Sequence, residues 1–153
     1  MSFDFEIITA NSLSEIDSAI NFVVEHQMRR YNVPTTKQEI LNEDAEREVY
    51  WFLAKRLGEI IGVSSAKIWH EHRHHVGVHY WVVMETERGN GVGRALLEKI
   101  YEIARLKHEP MVFAASRPVA TIAYEACGFK RIDDMEEIPY KGMQLIPYEY
   151  KVS

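Results

Sequence analysis

The chain has 153 residues, 46% hydrophobic and 27% charged, with a formal net charge of -5. That is the size and balance of one globular domain, able to bury about 70% of its unfolded surface without covalent staples. No apolar run approaches the ~20 residues of a membrane helix, the acidic balance argues against a nucleic-acid-binding face, and the single cysteine, Cys127, excludes an internal disulfide. The start, MSFDFEIITANSLSEID, is acidic and has no secretory signal pattern. A single domain over 1–153 in the cytoplasm is expected.

Residues 3–8 alternate apolar and acidic side chains, which reads as a strand. Ser12 to Glu15 spell a capping box, and Leu13, Ile16, Ile20, Val23, Val24 and Gln27 recur at helical spacing, so a helix should run to about Arg30. Thr35 or Thr36 can cap a second, polar helix to about Arg47. The period then changes. Residues 49–56 and 59–69 flank Leu57-Gly58 as a hairpin, and 76–85 form the next strand. Residues 92–107 are the clearest helix, with Leu96, Ile100 and Ile103 on one face. A short strand at 111–115 precedes a helix from Pro118 to Cys127, stopped by Gly128. Two more strands finish the chain. The order is β-α-α-β-β-β-α-β-α-β-β, an α/β fold without repeats.

The most informative segment is Arg88-Gly-Asn-Gly-Val-Gly-Arg94, between a buried strand and an amphipathic helix. Its glycines allow a tight turn and close backbone approach. The helix start adds unpaired N–H donors and partial positive charge, a ready site for a pyrophosphate. The Rossmann fingerprint fails here, because Arg94 stands where the third glycine is needed, and no Gly-Lys-Ser/Thr completes a P-loop. Arg88, Gly91 and Gly93 instead fill every defined place of the Arg/Gln-x-x-Gly-x-Gly loop of acetyl-coenzyme-A-dependent transferases.

A second segment, RPVATIAYEACGF (117–129), places Ala120, Tyr124, Gly128 and Phe129 in an A-x-x-x-Y-x-x-x-G-F pattern. With both segments in this order the chain resembles the GNAT superfamily of N-acetyltransferases. The resemblance implies that family's fold over nearly the whole chain, a central mixed sheet of about seven strands flanked by four helices. It implies direct transfer of acetyl from acetyl-CoA to an amine of a small molecule or peptide. In that family the sheet splays beside the glycine loop, between its fourth and fifth strands, and holds the pantetheine arm there. Carried over, Trp81, Val82 and Val83 contact the arm through their backbone, and Arg88, Gly89, Asn90, Gly91, Val92, Gly93 and Arg94 cradle the pyrophosphate. Arg117 stands where many relatives have asparagine and could pair a coenzyme phosphate. Tyr124 is the candidate general acid, since a phenol with a pKa of ~10 is protonated at neutral pH and can protonate a leaving thiolate. The base stays open between His79, Glu85, Tyr80 and water, because the fifth-strand position used by some relatives is Val112.

Other features point less sharply. Glu25, Glu39, Glu43, Asp44, Glu46 and Glu48 either wall a site for a cationic amine or face solvent. His70, His72, His74 and His75 lie between two strands without a completing ligand set, so a polar turn and no metal are expected. A homodimer through the C-terminal strands is compatible with the sequence. The competing functions are an acetyl-CoA-binding regulatory module without catalysis and a transferase of another acyl group.

Overall fold

The computed structural model describes residues 4–27, 35–70 and 74–152. The elements run β1 (Glu6–Thr9), α1 (Leu13–Gln27), α2 (Lys37–Ala45), β2 (Glu48–Arg56), β3 (Glu59–Ile68), β4 (Val76–Val83), α3 (Val92–Leu106), β5 (Met111–Ser116), α4 (Thr121–Ala126), β6 (Lys130–Arg131), β7 (Ile138–Tyr140) and β8 (Met143–Lys151). Single 3-10 turns lie at Glu85–Glu87 and Pro118–Ala120. The strand order is β1-β2-β3-β4-β5-β8-β6, with β7 paired to β8. The β4–β5 pair is parallel and the others are antiparallel. The expected α/β order is therefore present, with one departure. The segment expected as a single penultimate strand is two short ones, β6 and β7, separated by a turn at Asp133 and Asp134. The expected last turn of α1, to Arg30, lies outside the described residues.

Local chemistry sets the boundaries. Thr36 and Glu39 form a full capping box on α2, which satisfies two of the amides that a helix start leaves open. At α1 the Glu15 N–H donates to Ser12 Oγ at 3.1 Å, and Glu15 Oε1 accepts from the Asn11 N–H at 2.8 Å. Leu57 and Gly58 both have positive φ, 51° and 83°, the turn geometry that suits the twist of a two-residue hairpin.

Apolar layers cover both faces of the sheet. Phe52, Ala54, Ile61, Ala66 and Val78 pack with Leu96, Leu97 and Ile100 of α3. Trp51, Leu53, Val63 and Val82 pack with Ala19, Ile20 and Val23 of α1 and Ile40 of α2. A bulge interrupts β4: Ser65 pairs with Tyr80 but Ala66 with Val78, so His79 is the extra residue. The bulge shifts the side-chain alternation. Val76, Val78, Trp81 and Val83 belong to the α3 side, Tyr80 and Val82 to the α1–α2 side. A bulge bends its strand and raises the local twist. Just before it, β4 loses β5: only Val76 pairs with Val112 and Gly77 with Phe113.

Leu96 is fully buried, and its Cδ1 lies 2.9 Å from where a Cβ on Gly62 would sit. Leu96→Ala is expected to cost about 2–5 kcal/mol in urea unfolding, because the cavity left between α3 and β3 collapses only in part. A loss below about 1 kcal/mol would show that α3 is not docked as described.

Candidate active site

Where β4 and β5 part, the structure holds a cavity of about 860 Å³. Residues from both faces of the sheet line it, Trp81, Val83 and Tyr124 from the α3 side and Tyr80 and Glu43 from the α1–α2 side. It therefore runs through the gap in the sheet. Beyond Gly77 the β5-facing peptide groups of β4 have no strand partner, so they are available to an extended ligand.

At one end stands the N-terminus of α3. Its cap is Gly91, at φ 84°, with no side-chain hydrogen bond on the helix start. The first helical bond runs from the Ala95 N–H to the Gly91 carbonyl at 3.0 Å, so the amides of Val92, Gly93 and Arg94 precede the helical ladder. Gly93 lies close under Trp81: a Cβ there would stand 3.3 Å from the ring, a tight contact, and the indole Nε1–H donates to the Gly93 carbonyl at 2.9 Å. The turn leading into the loop is anchored by Arg56, which pairs with Glu87 and with Asp4.

Tyr124 lies on α4 and is 7% exposed. Its ring packs on Trp81 at 4.9 Å between centroids, on Phe129 at 5.1 Å and on Tyr148 at 6.2 Å. On the other side of the gap, the His79 side chain is 4% exposed and its Nε2 lies 3.0 Å from Asp44 Oδ1. The second oxygen of Asp44 accepts from Trp51 Nε1–H at 2.8 Å. A carboxylate fixed in this way accepts the Nε2 proton and leaves the Nδ1 lone pair of His79 open. Tyr80 donates to Glu43 at 3.2 Å. Burial first, and then the Glu43 charge, push its phenol well above the usual tyrosine range, so Tyr80 stays protonated.

A family model described as the acetyltransferase (GNAT) family matches residues 13–129. The chain belongs to the GNAT family of acetyltransferases. Solved structures share its fold. A GNAT acetyltransferase from Staphylococcus aureus Mu50 superposes with a TM-score of 0.75 at 17% identity, over 97% of this chain and 99% of that one. Escherichia coli ElaA gives 0.75 at 18%, over 96% and 99%. A GNAT acetyltransferase from Elizabethkingia anophelis, solved with acetyl-CoA bound, gives 0.69 at 16%, over 98% and 99%. No curated protein matches the chain. The GNAT enzymes are acyltransferases that draw on acetyl-CoA.

The GNAT assignment frames where the expected residues lie. Tyr124, His79, Trp81, Val82, Val83, Arg88, Gly89, Gly91, Gly93, Arg94 and Arg117 all line the cavity. Asn90 is exposed beside it, and Val92 turns its side chain into the core at 1% exposure, which leaves only its backbone to a ligand. Glu85 departs from expectation. The strand ends at Val83, and Glu85 is exposed in the following 3-10 turn, outside the lining. Arg117 departs too: its guanidinium meets Thr35 Oγ1 at 3.4 Å and the Tyr140 ring at 5.6 Å, residues outside the glycine loop. Arg94 points its guanidinium at the Ala126 carbonyl, 3.2 Å away at the end of α4.

The acidic wall reduces to one residue. Glu43 lines the cavity, Asp44 is engaged by His79 and Trp51, Glu39 pairs with Lys141 and Glu48 with Lys107, while Glu25 and Glu46 are exposed. The histidine turn is less solvated than expected. His74 pairs with Glu149 and His75 with Glu109, so the two diverge, and His72 lies outside the described residues. Among the described residues no cluster suits a metal, and no helix is long and apolar enough to cross a membrane. Lys67, Thr35 and Tyr140 reach the site unannounced by any motif. A lysine alone in the apolar run of β3 was the one visible sign.

Cys127 lines the cavity, and burial raises its thiol pKa against a smaller lowering by Arg94. Iodoacetamide should therefore alkylate it more slowly than a cysteine peptide at pH 8, since only the thiolate reacts. Alkylation faster than the peptide would contradict this environment.

Proposed function

We propose that the protein is an N-acetyltransferase that moves the acetyl group of acetyl-CoA directly to a primary amine of a small molecule or peptide. The observation that carries this reading is the unpaired length of β4, flanked in one cavity by the glycine-capped start of α3 and by Tyr124. The residues fit the coenzyme. The amides of Gly91 to Arg94 and the Arg88 side chain offer donors and positive charge to a pyrophosphate, with no cap side chain in the way. The free edge of β4 at Trp81, Val82 and Val83 offers peptide groups to the amide-bearing arm. Acetyl-CoA, bound there, supplies an activated thioester.

The chain's own groups do the proton work. His79, held by Asp44, removes a proton from the incoming amine through Nδ1. Tyr124 donates its hydroxyl proton to the departing sulfur. The incoming ammonium first loses one proton to solvent. As the neutral amine nitrogen gains the acetyl carbon and the carbon–sulfur bond breaks, its next N–H proton passes to His79. Afterwards the imidazolium releases a proton to solvent and the tyrosinate regains one. His79 fits the base role where Glu85 does not, because it is buried in the cavity wall and carries an orienting carboxylate. Cys127 needs no part in direct transfer.

Tyr124→Phe keeps the packing and removes the proton. It is expected to lower kcat about 10²-fold or more while calorimetric affinity for acetyl-CoA stays near wild type. Unchanged turnover would overturn the acid role. His79→Gln is expected to lower kcat about 10²-fold while calorimetric affinity for acetyl-CoA stays near wild type. Unchanged turnover would assign the base elsewhere.

A further inference from the structure

The chain carries a net charge of -5, yet among the described lining residues the cavity sets Lys67, Arg88, Arg94 and Arg117 against Glu43 alone. Arg88 flanks the glycine loop and faces the coenzyme's phosphates under the proposed function, while the Arg94 guanidinium is taken up by the Ala126 carbonyl. Lys67 and Arg117 stand on other elements, β3 and the end of β5, and the phosphate loop does not account for them.

Arg117 sits in a defined group. Its Nη2 is 3.4 Å from Thr35 Oγ1, that oxygen is 3.2 Å from the Tyr140 hydroxyl, and the guanidinium lies over the Tyr140 ring at 5.6 Å. Thr35 is 1% exposed. A guanidinium beside two hydroxyls that are bonded to each other matches a planar anion, which accepts from the guanidinium and from whichever hydroxyl keeps its proton free. Lys67 adds a second cation, its side chain 12% exposed and its Nζ 3.6 Å from Glu43 Oε2. Among the described lining residues away from the glycine loop, an acceptor finds one carboxylate, Glu43, shared with Lys67 and the Tyr80 hydroxyl, and the Arg117 guanidinium. An acceptor with both charges finds a partner for each.

Resting on the transferase reading above, we infer that the acceptor is an amine that also carries a carboxylate, the carboxylate held by Arg117, Thr35 and Tyr140 and the ammonium drawn in by Glu43. The class is that of amino acids and related amino-carboxylates. Charge-assisted hydrogen bonds of this kind discriminate about tenfold to a hundredfold against a ligand lacking the anion. Glu43 brings the ammonium to the face of the gap that carries His79, where it can be deprotonated.

The test is release of coenzyme A thiol across a panel of L-amino acids, each run beside its carboxamide, with calorimetric titration of acetyl-CoA in parallel. For the accepted members the acid should have a KM about tenfold to a hundredfold below its amide. Arg117→Gln should erase that difference, and Tyr140→Phe, which keeps the ring, should reduce it. Both variants should bind acetyl-CoA as wild type does. Amides accepted as well as acids, or a preference that survives in Arg117→Gln, overturns the anion subsite and leaves the transferase standing. Weakened acetyl-CoA binding in Arg117→Gln with the preference intact also overturns it, by returning Arg117 to the coenzyme. Release with no acid in the panel overturns it as well. Failure of wild type to bind acetyl-CoA would then mark the loss of the transferase reading itself.

Discussion

A strand that must pair on one edge and stay open on the other is the constraint that organises this molecule. Along β4 the antiparallel ladder to β3 is maintained from Val76 to Val83, while the parallel ladder to β5 stops after Gly77. Two local features coincide with that stop. Gly77 lies flat under Trp69, whose ring would stand 2.6 Å from any Cβ there, and two residues later His79 bulges out of register. The bulge bends β4 at the place where it would otherwise have to follow β5. An open edge inside a sheet leaves peptide groups unpaired, a cost that persists only where a ligand or water meets them. Here the edge faces a cavity.

The same bulge distributes the chemistry. Because it shifts the alternation by one residue, Trp81 faces α3 and supports Tyr124, while His79 and Tyr80 face α2. One strand thus presents an acid-supporting ring to one side of the gap and a candidate base to the other. The anchors on each side are tied to the core. Asp44 is held by Trp51, which is 2% exposed, and the Gly93 carbonyl is held by Trp81. Groups fixed by packed indoles lose little freedom when a ligand arrives, which is what keeps reacting groups in register. Among the described residues the cavity lining carries Lys67, Arg88, Arg94 and Arg117 against Glu43, although the chain as a whole is acidic.

Much of this was legible in the sequence because it rests on short-range rules. Helix periodicity, the capping box from Ser12 to Glu15 and the turn at Leu57-Gly58 are local, and so is the glycine loop that exposes the amides of α3. The coupling of the loop to Tyr124 was legible only through resemblance, since 30 residues separate the two in the chain. What escaped depends on long-range register. Counting alternation along β4 put Glu85 on the strand, but the strand ends at Val83 and the bulge at His79 breaks the count. Arg117 reads as a phosphate ligand from its place before α4. Its partners, Thr35 and Tyr140, come from segments more than 20 residues away on either side, and no periodicity brings them together. Whether the acidic residues around α2 wall a site or face solvent stays open in the sequence, because charge count does not reveal which carboxylates find lysines of their own. The split of β6 from β7 falls at Asp133 and Asp134, a turn pair set among charged residues that carry no strand alternation of their own.

The central claim is that the mouth of α3 and the open edge of β4 form one binding surface for the acetyl donor. Amide-resolved NMR during titration with coenzyme A tests it most directly. The amides of Gly89 to Arg94 and of Trp81 to Val83 are expected to shift together along one binding curve, while those of α1 stay in place. Shifts confined to another surface, or none at saturating ligand, would contradict it.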